Sequence, residues 1–202
     1  MRIRQKKFEK SKKVFLVAAG PSAAALPWPD AYYESCEQNG TMDLCLLNRM
    51  AIGKQVPNYC VTVNPELLAA YSQDLRISQK SIVITNPPHK LAPILNGNDI
   101  SAALTSKKVF WHDRWPVLAS PSLAVWAMSF LGYGQIYLFG FDGSMASRDR
   151  RYARGEQWIN RFIKARNDHH KSELIRVWPN SVEWKSAEDP LRTTESMSVV
   201  IP

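Results

Sequence analysis

A chain of 202 residues with 45% hydrophobic and 22% charged side chains is long enough to bury one core without disulfides or a structural metal. Its apolar stretches are short and broken by Pro, Gly or charge, which excludes a membrane span of about 20 apolar residues. The start, Met1 to Lys13, is basic rather than apolar and lacks the pattern of a secretory signal, so a soluble cytoplasmic protein is expected.

The net charge of +8 favours an anionic partner: a nucleotide, nucleic acid, phospholipid or charged glycan. Cys36, Cys45 and Cys60 are odd in number and lack CxxC spacing, which argues against a disulfide framework and a zinc site.

In chain order, residues 1–13 read as a basic N-terminal arm, a solvated segment that could also meet nucleic acid. The first strand is Val14 to Ala18, a short apolar run ended by Gly20-Pro21, as a buried parallel strand should be. Similar runs follow at Leu44 to Leu47, Cys60 to Val63, Ser81 to Thr85, Val109 to Trp111, Ile136 to Phe139 and Ile175 to Trp178. Helical patterns lie between several of them, at Asp30 to Gln38, Pro65 to Ser72, Ser122 to Leu131 and Gly155 to Asn167. This alternation predicts an α/β domain over residues 14–182: a Rossmann-like, doubly wound, mostly parallel sheet of about seven strands in a three-layer α/β/α arrangement. Residues 86–108, rich in Pro, Asn, Gly and Ser, read as a surface excursion. Residues 183–202 form a tail with no clear period.

Open parallel sheets bind ligands outside the carboxyl ends of their strands, where loops and helix N-termini converge with unpaired donors. The residues that follow the strands here are Gly20-Pro21-Ser22, Asn48-Arg49, Asn64-Pro65, Asn86-Pro87, His112-Asp113-Arg114, Gly140-Phe141-Asp142 and Pro179-Asn180-Ser181. An Asn at a strand end has an ordinary use as a turn or helix cap. Four of them, Asn48, Asn64, Asn86 and Asn180, also suit ribose hydroxyls, a pyrimidine edge or sugar hydroxyls, because a carboxamide offers donor and acceptor without charge. Gly20, Pro21 and Ser22 form a turn that serves equally as a phosphate cradle or a plain strand-to-helix connection.

No D-x-D pair and no Cys/His ligand spacing occurs, so metal-independent chemistry is expected. GxxxxGK[ST] and GxGxxG after the first strand are absent, as is G-x-S-x-G, which removes the P-loop, dinucleotide and hydrolase readings.

Val17-Ala18-Ala19-Gly20-Pro21-Ser22, then Asn48, Asn64-Pro65-Glu66-Leu67, and Ser120 leading into Leu131-Gly132-Tyr133-Gly134-Gln135-Ile136-Tyr137-Leu138-Phe139-Gly140-Phe141-Asp142 resemble the single-domain bacterial sialyltransferases that use CMP-sialic acid. Pro179-Asn180-Ser181 adds a weaker match, and the set spans most of residues 14–181. The resemblance implies that Gly20, Ser22, Asn48 and Asn64 hold the cytidine nucleotide and donor sugar, with Ser120 and Asp142 at matching pocket positions.

There are departures. The family's catalytic His lies before its last core strand, where this chain has Arg154 and its neighbours. Tyr152 is the only tyrosine in the segment Gly143 to Arg154 to stand in for a pair of phosphate-binding tyrosines. Arg148, Arg150, Arg151 and Arg154 are either solvated charges or the groups that neutralise a phosphate there. Arg114 lies a few residues from the family's active-site Arg, and His112, beside Asp113, is the one candidate general base.

The resulting expectation is a sialyltransferase-like glycosyltransferase with a nucleotide-activated, CMP-type sugar donor as substrate, a glycan or other hydroxyl acceptor, and no separate cofactor. Two alternatives stand beside it. One is a diphosphotransferase like the pterin diphosphokinases, which share the Gly-Pro-Ser turn and a terminal G-x-D strand and whose chemistry needs Mg²⁺. The other is a non-catalytic accessory protein that binds nucleotide or nucleic acid.

Overall fold

A computed structural model describes residues 7, 9–20, 23, 42–52, 56–87, 109–110, 119–141 and 172–176. The strands are β1 (Glu9–Val17), β2 (Met42–Leu47), β3 (Tyr59–Val61), β4 (Ile82–Ile84), β5 (Val109–Phe110), β6 (Tyr133–Phe139) and β7 (Glu173–Arg176). Helix α1 is Pro65–Gln73, α2 is Leu75–Lys80 and α3 is Ser120–Phe130, and a 3-10 turn covers Asn48–Ile52. The strands lie in the order β5-β4-β3-β2-β1-β6-β7, and every pairing is parallel. The chain is thus an α/β protein of Rossmann-like type.

The apolar runs are strands because they are buried on both faces. Successive side chains of a strand point to opposite sides, and the two sides form separate clusters. Val14, Leu16, Cys45, Leu47, Val61, Ile84, Ile136 and Leu138 pack with Leu123, Val125, Ala127 and Met128 of α3. Phe15, Val17, Leu44, Leu46, Cys60, Val83 and Phe139 pack with Leu68 and Tyr71 of α1 and Ile77 of α2. Each large apolar side chain so buried contributes roughly 1.5–3 kcal/mol.

Helix α3 is buried at every position except Pro121 and Ser129, which are partly covered, as an apolar helix must be. Pro121 in its first turn suits a helix start. The helix ends where Leu131 N–H reaches Ala127 O at 2.9 Å and Gly132 takes φ 87°, a left-handed residue that closes the last turn cheaply only as glycine. Among the described residues no helix is long and apolar enough to cross a membrane.

Strand β1 begins at Glu9, so the basic arm expected over residues 1–13 does not extend to residue 13. Lys13 pairs with both Met42 and Gln135, whereas among the described residues Glu9 pairs only with Tyr133. The first residues of β1 are exposed and need no apolar side chains, which hides the strand from a hydrophobicity reading. Lys12 holds this end down. Its ammonium lies 4.0 Å from the centroid of the Tyr133 ring and 3.9 Å from Asp43 Oδ2, and the Tyr133 hydroxyl donates to that same carboxylate oxygen. Helix α2 and the 3-10 turn are also absent from the sequence expectation. The helical patterns at residues 30–38 and 155–167 and the tail lie outside the described residues.

Cys45 and Cys60 sit on neighbouring strands but in opposite clusters, and both are free, buried thiols. Burial pushes Cys45 well up from the ordinary thiol value, helped by the charges of Cys60 and Asp43. Burial likewise lifts Cys60 from 9.0 to about 12, with a hydrogen bond to Ser81 opposing it. A raised folded-state value means that the folded protein holds the proton more tightly. The stability this represents is complete below the unfolded thiol's value and disappears as pH rises from 9.0 towards about 12. Urea midpoints should therefore be level to about pH 8 and fall steadily above about pH 9. A level midpoint through about pH 11 would contradict the burial of these thiols.

Candidate functional site

The chain leaves β1 to one side through β2, β3, β4 and β5, then returns to the other side of β1 for β6 and β7. The order therefore reverses between β1 and β6, and open parallel sheets bind ligands at such a reversal, outside the carboxyl ends of the strands. The residues at this reversal are Ala18, Ala19 and Gly20 after β1 and Gly140 and Phe141 after β6. They are stitched together: Ala18 N–H donates to Phe139 O at 2.8 Å and Gly20 N–H to Gly140 O at 3.1 Å. Gly140 has φ 71°, and a Cβ there would lie 2.2 Å from Ala18 O.

Beside this reversal, the ends of β2 and β3 and the start of α3 meet in one hydrogen-bonded network. Val63 N–H donates to Ser120 Oγ at 3.1 Å, and Ser120 Oγ donates to Asn48 Oδ1 at 3.0 Å. From the other side Asn64 N–H donates to Thr62 Oγ1 at 3.1 Å, and Thr62 Oγ1 donates to Asn48 Oδ1 at 3.0 Å. Each hydroxyl thus accepts a backbone proton and passes its own to Asn48. The carboxamide is held by its oxygen, and among the described residues its NH₂ group makes no hydrogen bond. Two donors on a half-buried side chain at the end of the sheet are what an oxygen-rich ligand requires.

Asn48 is also the only non-glycine residue with positive φ among the described residues, at 51°. Asparagine tolerates this left-handed conformation better than most side chains, but it still costs about 1 kcal/mol. The Tyr71 hydroxyl, from α1, donates to Asn48 O.

Asn64 takes the cap role. Its Oδ1 accepts from Glu66 N at 2.9 Å, at φ −88° and ψ 119°, and starts α1 with Pro65 in the first turn. Its oxygen is therefore committed to the helix. Asn86 is 2% exposed beyond β4, next to Thr85, whose Oγ1 is buried with no hydrogen-bond partner among the described residues. The structure thus brings Asn48, Asn64 and Ser120 together and places Gly20 at the reversal of the sheet, with Asn86 farther along the same sheet end. Pro21, Ser22, His112, Arg114, Asp142, Tyr152, Arg154 and Asn180 lie outside the described residues, as do Arg148, Arg150 and Arg151.

Thr62 and Tyr71 belong to the network and were not expected from the sequence. The one aliphatic hydroxyl in the run Tyr59-Cys60-Val61-Thr62-Val63 is a faint signal of a polar contact at a strand end. Tyr71, spaced seven residues from Asn64, reads as the core face of a helix, and its ring does lie in the core. Among the described residues no group of three or more His, Cys, Asp or Glu is placed to hold a metal.

No model of a known protein family matches this chain, and no curated protein matches it in sequence.

Proposed function

We propose that this protein is a sialyltransferase-like glycosyltransferase that binds a CMP-type sugar donor at the carboxyl ends of β1, β2, β3 and β6, in a doubly wound, three-layer domain of about seven strands. The observation that carries the reading is the carboxamide of Asn48. It is held by two hydroxyls, keeps its NH₂ group clear of hydrogen bonds among the described residues, and stands beside the reversal of the sheet. Uncharged donors of this kind match ribose, phosphate and sugar oxygens.

In the reaction, the acceptor hydroxyl oxygen bonds to the anomeric carbon as the bond from that carbon to the phosphate oxygen breaks. His112 takes the acceptor's proton, and CMP leaves with the electron pair. Arg114, with Tyr152, Arg154 and the other arginines of residues 148–154, stabilises the charge that develops on the phosphate. Gly20, Pro21, Ser22, Asn64, Asn86, Ser120, Asp142 and Asn180 complete the donor site. The chemistry needs no metal and no further cofactor. The acceptor is a glycan or another hydroxyl compound, and the basic N-terminal residues add affinity for an anionic partner such as nucleic acid.

Incubation with CMP-sialic acid and a panel of hydroxyl acceptors, with and without EDTA, tests this. Release of CMP that EDTA leaves unchanged is the expected result. Binding of CMP without release would favour a non-catalytic accessory protein. Mg²⁺-dependent consumption of ATP with a pterin alcohol would replace the proposal by diphosphoryl transfer.

A further inference from the structure

We infer that Tyr71 is a positioning residue for nucleotide binding: its hydroxyl, acting on the carbonyl of Asn48, holds that residue in the left-handed conformation that presents its carboxamide to the ligand. The inference rests on the proposed donor site in taking CMP as the ligand.

At φ 51° Asn48 is not in the conformation it would choose unaided, so something in the fold must compensate. Two constraints meet on it. Thr62 and Ser120 grip the side-chain oxygen, which decides where the NH₂ group lies once the backbone is placed. The backbone itself is gripped by Tyr71, whose hydroxyl donates to Asn48 O. Tyr71 is well built for this task. It is 1% exposed, its ring is packed with Phe15, Leu46, Cys60, Leu68 and Ile77 in one cluster, and it sits on a helix whose start is pinned by the Asn64 cap. The donor is therefore fixed by the core rather than by a mobile loop. Burial pushes the hydroxyl far above its ordinary value, with the charges of Cys60 and Cys45 acting in the same direction, so it stays protonated and able to donate throughout the working pH range.

Tyr71→Phe removes the hydroxyl and keeps the ring. Losing one fixed hydrogen bond to the backbone of a binding residue should weaken CMP binding about tenfold. In the ligand-free variant, the Asn48 amide-to-Hα coupling and Cα chemical shift should lose their left-handed values. A residue that only packs in the core would lower the melting temperature and leave both readouts alone, and that result would overturn the inference. Should the variant fail to fold, the wild-type hydroxyl decides: it should give a slowly exchanging proton resonance with contacts to Asn48, and its absence would equally overturn the role. If wild-type protein binds no CMP, the proposed donor fails, whereas the ligand-free measurements still judge Tyr71 by themselves.

Discussion

Gly140→Ala should remove a large part of the stability of the domain. At φ 71° the backbone is in a region that costs a residue with a Cβ about 1–2 kcal/mol before any contact is considered. The contacts are worse. The new Cβ would stand 2.2 Å from Ala18 O, 3.0 Å from Ala18 C and 2.8 Å from Ala23 Cβ. Two of these are backbone atoms in the residue that follows β1, and Ala18 is tied to β6 through its N–H to Phe139 O at 2.8 Å. Relief therefore requires the paired strands β1 and β6 to part, at the centre of the sheet. A loss of about 4 kcal/mol or more is expected, against a total of roughly 5–15 kcal/mol for a domain of this kind. Urea unfolding followed by far-UV circular dichroism checks it, and a midpoint close to that of wild type would contradict the packing of β1 against β6.

Substitution of Asn48 should separate binding from stability. Asn48→Ala keeps the positive φ and deletes the acceptor for Thr62 and Ser120, so it should cost about 2–3 kcal/mol of stability. Asn48→Gly deletes the same acceptor but relieves the backbone, so it should be about 1 kcal/mol more stable than the alanine variant. Both lose the two carboxamide donors, and both should bind CMP on the order of tenfold to a hundredfold more weakly. Thermal unfolding and CMP titration of the two variants provide the comparison. A glycine variant that matches wild type in affinity would exclude the carboxamide from the site, whatever its stability.

Much of the sheet was legible because its central strands are buried on both faces, and a parallel strand of that kind must be an unbroken apolar run. Leu44 to Leu47 and Ile136 to Phe139 stand out for this reason. The early half of β1 was not, since Glu9, Lys10 and Ser11 are exposed and pay nothing for being polar. The start of β6 was missed for a related reason: Tyr133, Gly134 and Gln135 do not form an apolar run, although Tyr133 is fully buried with its hydroxyl on Asp43.

At the site, Asn48 and Asn64 could be named because carboxamides directly after parallel strands lie where such sheets bind ligands, whereas Ser120 was named through the family resemblance alone. The division of labour between them could not. That Asn64 gives its oxygen to a helix cap while Asn48 offers its NH₂ group depends on φ, ψ and the direction of each hydroxyl proton. Tyr71 was invisible as a site residue because a tyrosine on the inner face of a helix is core by every local criterion. The role proposed for it depends on which carbonyl lies beyond its ring, which only the packing of α1 on the sheet decides.

The most direct test of the account is a calorimetric titration of CMP, alongside UDP, GDP and ATP, into wild-type protein freed of divalent metal. A single saturable site that prefers CMP is the predicted result. No binding of CMP at millimolar concentrations, or binding that appears only with Mg²⁺ and favours ATP, would contradict it.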